Sequence, residues 1–170
     1  MKTLSWFENK GMFIRDITIK RIAENYMKKA RNNIITMELL SKVENHKDIL
    51  DLPDDYEPEE WIVIAAYYAM YVAALSVLAK IGYKSKNHTA TSLALETFFV
   101  KKKLLEKKYL ESLANIKIKK EEIEELNDAR EKREIAQYSP TKHTSKRIAN
   151  EAREEAHHFV NRMEDLFGVL

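Results

Sequence analysis

Six side chains in this sequence have the types and spacing to handle a phosphate: Lys84, Lys86, His88, Arg130, Arg133 and Tyr138. The first three fall in Tyr83-Lys84-Ser85-Lys86-Asn87-His88-Thr89, a polar turn ahead of a predicted helix. A histidine and two lysines at a helix N-terminus suit an anion, because the unpaired backbone N–H groups point there. The others lie in Arg130-Glu131-Lys132-Arg133-Glu134-Ile135-Ala136-Gln137-Tyr138, where Arg133 and Tyr138 flank a predicted helix end. An arginine in that place steadies a phosphate. A tyrosine hydroxyl donates to one, and its ring stacks on a base.

Other chemistries find less support. Glu154-Glu155-Ala156-His157-His158 holds Glu-x-x-His twice, offset by one residue. Di-iron bundles need that spacing on two helices and a further glutamate on each of two others. No second Glu-x-x-His occurs, so no metal site is expected and no cofactor is called for. His157 and His158 read as helix surface. His-Glu-x-x-His spacing and both glycine-rich phosphate loops are absent from a chain with 3 Gly in total. A Ser-His-Asp arrangement cannot be read, because an all-helical chain gives no spatial order. Glu121, Glu122, Glu124 and Glu125 read as an exposed first turn that complements a helix dipole.

These residues need a scaffold, and its centre is the uncharged run Trp61–Ala79. Its length roughly matches a hydrocarbon core of about 30 Å. Yet Tyr67, Tyr68 and Tyr71 would put hydroxyls near the bilayer centre, whereas tyrosines in spans favour the interface. Six alanines dilute the run, and no second run partners it. A helix apolar all round belongs in the middle of a bundle. Pro58 suits its first turn, Glu59 and Glu60 its dipole, and Gly82 its end.

Around it the spacing predicts a helix over about Ile14–Val43, with a stripe of Ile19, Ile22, Ala23, Tyr26, Ala30, Ile34, Met37 and Leu40. A helix capped by Thr89 or Thr91 follows the central one. A break falls near Leu113–Ile118, a fourth helix covers about Lys119–Gln137, and a last one about Thr144–Phe167, ended by Gly168. No strand is expected. The result is an all-α fold, an up-and-down bundle of four to five helices around a central apolar helix. Residues 1–170 form one domain, with 1–13 as an N-terminal extension.

A chain of 170 residues supports one sizeable core. The lack of Cys excludes disulfides and thiolate zinc sites. The start has no signal-peptide core, so the expected compartment is the cytoplasm, with no membrane. Charge is mixed, at a formal net of +2, but unevenly placed. Lys80 to Lys108 carries eight lysines against Glu96 and Glu106, a balance of +6. Glu44 to Glu60 has one lysine against eight acids, −7. The bland reading is solvated surface. The functional one is a basic face for phosphate backbones.

Four segments in order resemble the HEPN family (higher eukaryote and prokaryote nucleotide-binding domains). Lys28-Lys29-Ala30-Arg31-Asn32-Asn33 looks like the family's first helix. Tyr67-Tyr68-Ala69-Met70-Tyr71-Val72-Ala73-Ala74 looks like its Tyr-Tyr-Ala-Met-Phe-His-Ala-Ala helix. Gly82 to His88 matches Gly-Tyr-x-x-Lys-x-His, and Arg130 to Tyr138 resembles Arg-x-x-x-Asp-Tyr. The resemblance spans about Lys28 to Phe167.

It implies a helical bundle, often homodimeric, many of whose members are ribonuclease toxins paired with a minimal nucleotidyltransferase antitoxin. The family's catalytic motif is an arginine followed after four to six residues by a histidine. Here Arg133 stands in place, with Tyr138 where the histidine would be, and Val72 replaces a common family histidine. Arg153 and His158 satisfy the spacing formally but inside the last helix, and read as coincidental.

Two functions follow as expectations. One is a toxin-type subunit that binds RNA or cleaves it as a metal-independent endoribonuclease, using Arg133 with His88 or Tyr138. Lys84, Lys86 and Arg130 would bind the nucleic acid or nucleotide. The other is a non-catalytic nucleotide-binding, regulatory module partnering a nucleotidyltransferase, with Tyr138 the candidate for nucleotide addition. A purely structural adaptor would explain the composition but not the ordered matches.

Overall fold

The computed structural model describes residues 2–133 and 145–170. In chain order they form α1 (Leu4–Asn9), β1 (Phe13–Arg15), a 3-10 segment (Ile17–Ile22) and α2 (Ala23–Lys42). A second 3-10 segment (Val43–His46), α3 (Glu59–Lys80) and β2 (Tyr83–Ser85) follow. Then come α4 (His88–Leu95), a π-helical turn (Glu96–Val100), α5 (Lys107–Arg133) and α6 (Lys146–Gly168). The protein is mostly helical.

The uncharged run is α3. By length and composition it could cross a membrane, but 72% of its most apolar window is buried inside the fold. Ala66, Ala69, Ala73 and Ala74 have no exposed surface. Their small side chains let neighbouring helices approach closely, and Met70, Val77 and Leu78 fill the spaces between. α2 packs on α3 through Met27, Ala30, Ile34 and Met37. α6 packs on it through Ala149, Ala152, Ala156, Phe159, Val160 and Met163, a regular three-and-four spacing. α5 also contacts α3. Burying each large apolar side chain contributes roughly 1.5–3 kcal/mol.

α3 stops at Gly82, whose φ is +86°. Its N–H donates to the Ala79 carbonyl at 2.9 Å, and its own carbonyl accepts from the Asp16 N–H at 2.9 Å. A Cβ there would meet the Lys20 side chain at 3.4 Å and the Ile17 Cα at 3.6 Å. Those are ordinary contact distances, so it is the left-handed backbone conformation that calls for glycine.

Several expectations are corrected. Strands exist: β1 and β2 pair antiparallel, with Phe13 opposite Ser85, Ile14 opposite Lys84 and Arg15 opposite Tyr83. At three residues each they are too short for an alternation signal. The first long helix begins at Ala23, not Ile14, because β1 takes the chain into the ladder and Asp16 then caps the 3-10 segment. The Asp16 carboxylate accepts from the Thr18 N–H at 3.0 Å and the Thr18 hydroxyl at 2.6 Å.

No break falls at Leu113–Ile118. α5 runs through it, with Leu113, Ile116 and Ile123 buried and no glycine or proline in between. The i,i+4 pairs Lys107–Glu111 and Lys117–Glu121 support its surface. The fourth helix so begins at Lys107 rather than Lys119, and its expected end at Gln137 lies outside the described residues. α4 is capped by Asn87, whose side chain accepts from the Ala90 N–H at 3.1 Å. Thr91, one candidate cap, is buried and donates instead toward Ser85 and Asn87. α6 begins after Ser145, which caps it through the Ile148 N–H. The N-terminal residues hold α1 and β1, and they place Phe7 and Phe13 in the core.

Candidate functional site

His88 is the first residue of α4, and the Asn87 cap fixes its entry angle. α3 brings Tyr67 and Tyr71, one turn apart, against it. The Tyr67 hydroxyl lies 2.5 Å from His88 Nδ1 and 3.2 Å from Nε2. The His88 ring packs over Tyr71, with centroids 4.1 Å apart, and Tyr71 in turn stacks on Tyr67 at 6.0 Å. α5 closes the other side with Leu113, Ala114, Lys117 and Ile118, and Thr89 and Ser92 of α4 add hydroxyls. The pocket so enclosed measures about 250 Å³.

The electrostatics keep the site's acids and bases neutral. Burial holds the His88 imidazole below its ordinary value; Lys117 and Lys120 add to the effect and Glu121 opposes it. Burial also raises the Tyr67 phenol far above its usual range, reinforced by Tyr71 and Tyr68, and burial raises Tyr71. At neutral pH, then, an uncharged imidazole faces a protonated phenol. A hydroxyl both donates and accepts, so Tyr67 serves either tautomer: it donates to a bare Nδ1 or accepts from Nδ1–H. The second arrangement leaves the lone pair on Nε2, the form a general base requires.

Two cations stand beside this pair. Lys117 lines the pocket and pairs with Glu121 at 3.1 Å. Lys120, mostly buried, pairs with Glu124 and sits over the Tyr67 and Tyr68 rings at 5.5 and 5.9 Å. A neutral base, a positioning phenol, two hydroxyls and two ammonium groups suit an anion bearing a hydroxyl.

Of the residues the sequence singled out, His88 is the one among the described side chains that lines this pocket. Lys84 lies on β2 opposite Ile14, where its charge helps hold the Asp16 carboxyl low, after the larger effect of the Thr18 hydrogen bonds. The Lys86 N–H donates to the Met12 carbonyl at 2.9 Å, just past the ladder. Arg130 and Arg133 lie on the last turn of α5. At 1.5 Å per residue the backbone of Arg133 is about 20 Å beyond that of Lys120. Tyr138 lies outside the described residues.

Sequence reasoning missed Lys117 and Lys120 as site residues, and used Tyr67 and Tyr71 only to recognise a helix. The available signal was their spacing: Tyr67 and Tyr71 share one helix face, and Lys117 and Lys120 another, each followed four residues later by a glutamate.

The Glu154–His158 cluster does something else. One Glu38 carboxylate oxygen accepts from Arg153 Nε at 2.7 Å and lies 2.8 Å from His157 Nε2, tying α2 to α6. His158, the formal partner of Arg153 by spacing, is exposed. Among the described residues no three His, Asp or Glu side chains gather as metal ligands do.

No protein family, curated protein or solved structure matches this chain.

Proposed function

We propose that the protein is a HEPN-like, toxin-type subunit that binds RNA and cleaves it at the His88 pocket. The observation that carries this reading is a neutral-biased His88, hydrogen-bonded to Tyr67 and set beside Lys117 and Lys120. In the reaction, a ribose 2′-hydroxyl gives its proton to His88 as its oxygen attacks the adjacent phosphorus. A bond from that oxygen to phosphorus forms and the bond to the 5′-oxygen breaks, giving a 2′,3′-cyclic phosphate. The 5′-oxygen takes up a proton from water, and the hydroxide left takes the proton from His88, which restores the neutral base. Lys117 is placed to stabilise the charge that grows on the phosphorane oxygens. This chemistry needs a base and a cation, both supplied by the chain, so it would proceed without a metal.

The reading includes the bundle of four to five up-and-down helices and a cytoplasmic setting, together with the homodimer and the minimal nucleotidyltransferase antitoxin that the resemblance implies. Lys84 and Lys86 would guide the strand towards His88. Arg130 and Arg133 would act on RNA farther along α5, and Tyr138 would act with Arg133 as the resemblance implies.

One observation favours the alternative, a non-catalytic nucleotide-binding module partnering a nucleotidyltransferase. Lys117 and Lys120 already pair with Glu121 and Glu124, which lowers the positive charge offered to a transition state. Incubation of the purified protein with structured RNA in EDTA decides between them. Cleavage that His88→Gln and Lys117→Met abolish supports the ribonuclease. RNA or nucleotide binding without cleavage supports the module, and cleavage that survives both substitutions refutes the site. Arg133→Ala, run beside them, reports whether the far end of α5 takes part.

A further inference from the structure

A second pocket, about 310 Å³, lies at the opposite end of α4 from His88. Five parts of the chain meet there: Arg15 from β1, Tyr83 from β2, Phe98 from the π-helical turn, Lys102 with Leu104 from the turn that follows, and Leu170 after α6. Its wall is aromatic. Tyr83 and Phe98 are half-buried with centroids 4.8 Å apart, and Tyr83 stacks on the buried Phe13 at 5.1 Å. Its charged side chains are Arg15 and Lys102, and among the described residues no Asp or Glu lines it. Arg15 and Lys102 are exposed, and neither has a carboxylate partner among the described residues. Lys101 and Lys103 extend the same charge along the turn.

The backbone here departs from regular geometry in two places. Glu96–Val100 is wound as a π-turn, a form found often at functional sites. Lys103 has φ +60°, in the left-handed region that non-glycine residues rarely adopt. The departure is held by specific bonds: the Lys103 N–H donates to Val100 and the Leu104 N–H to Phe99, each at 2.9 Å, while Arg162 donates to the Leu104 carbonyl at 2.5 Å. Arg162 is itself held by Glu106 at 3.2 Å. Local strain fixed from several sides is a mark of a shaped site, and the turn so held brings Lys102 and Leu104 to the pocket that Arg15 also lines.

The geometry points to a binding site for a nucleoside 5′-monophosphate, free or as the 5′ end of an RNA strand, with the phosphate between Arg15 and Lys102 and the base against Tyr83 and Phe98. Two cations without a carboxylate partner among the described residues match a phosphomonoester dianion better than a diester, which carries one charge. Arg15 offers the planar fork that phosphate oxygens accept in pairs. An aromatic and apolar wall takes a flat ring. The choice of a nucleotide over another aryl phosphate rests on the RNA reading of the His88 pocket; the site itself does not.

Calorimetric titration of the full chain with AMP, adenosine and inorganic phosphate tests the site. The expected result is AMP binding at least about tenfold tighter than either fragment, about 1.4 kcal/mol. The Arg15→Ala/Lys102→Ala double variant, altered only at exposed positions, should lose it, Phe98→Leu should weaken it, and His88→Gln should leave it unchanged. Binding that His88→Gln abolishes and the double variant keeps would overturn the proposal, as would no AMP binding or adenosine binding as tightly as AMP. Matched short RNAs with 5′-phosphate and 5′-hydroxyl ends separate the two sources: preference for the phosphorylated end assigns the site to RNA, and equal affinity assigns it to the free nucleotide. Loss of cleavage in His88→Gln is a separate readout, so failure of one site is not mistaken for failure of the other.

Discussion

The Tyr67 hydroxyl meets His88 Nδ1 at 2.5 Å from within the most apolar helix of the chain. A phenol so buried needs a partner, since an unsatisfied hydroxyl in that place costs about 1–3 kcal/mol. The bond therefore serves the fold and orients the imidazole at once. Tyr67→Phe separates the two roles. It should cost about 1 kcal/mol in a urea melt, and RNA cleavage should fall further than that loss of stability explains, with His88→Gln reducing it about 10²–10⁴-fold.

The same pair predicts an acid-sensitive fold. Burial holds the folded imidazole below its ordinary value of about 6.5, so the unfolded chain takes up the proton first as pH falls. The contribution of His88 is fully present above about pH 6.5 and is lost as pH falls through the folded value. The urea midpoint of the wild type should drop between about pH 7.5 and 5.5, and that of His88→Gln should drop less. Equal slopes would show that His88 is not the group responsible.

A later acid loss is expected at Glu38. Burial pushes its carboxyl up, but the hydrogen bond from His157 and the charge of Arg153 outweigh this and hold it below the usual range. Its contribution is present above about pH 4.3 and is lost below as pH falls through the folded value. Glu38→Gln should flatten the stability profile in that acid range and leave the step near neutrality in place.

Asn87 positions His88 through a cap rather than by contact. Asn87→Ala should cost about 0.5–2 kcal/mol, whereas Asn87→Asp or Asn87→Ser should cost little. If the cap sets the imidazole, cleavage should follow the same order. Activity unchanged in Asn87→Ala would show that Tyr67 alone places the ring.

The alanines of α3 set how close its neighbours come. Ala73 has no exposed surface, and Ala73→Leu should destabilise by about 1–3 kcal/mol through overpacking. Met70→Ala, which leaves a cavity, should cost about 2–5 kcal/mol. Chemical denaturation of each variant checks both values.

The scaffold was legible in the sequence wherever one residue pattern had one structural meaning. The uncharged run gave α3, and the three-and-four stripes of α2 and α6 gave their buried faces. Legibility failed where local pattern met a distant partner. The helix expected from about Ile14 starts later, because Phe13–Arg15 pairs with residues far along the chain. Thr91 looks like a cap but is drawn inward by Ser85. His88 could be named from its turn, because polar turns ahead of helices are local. Tyr67 and Lys117 could not be joined to it, since they meet only once three helices have packed.

The β1–β2 ladder has a consequence for the order of folding. It joins residues about 70 apart in the chain, and contacts of such separation form late and slowly. During synthesis β1 emerges before β2, and its landing place does not exist until β2 has left the ribosome. Until then the apolar rings of Phe7 and Phe13 stay in water, open to chaperones and to aggregation. The strand made earlier of the two thus settles only when the later one arrives.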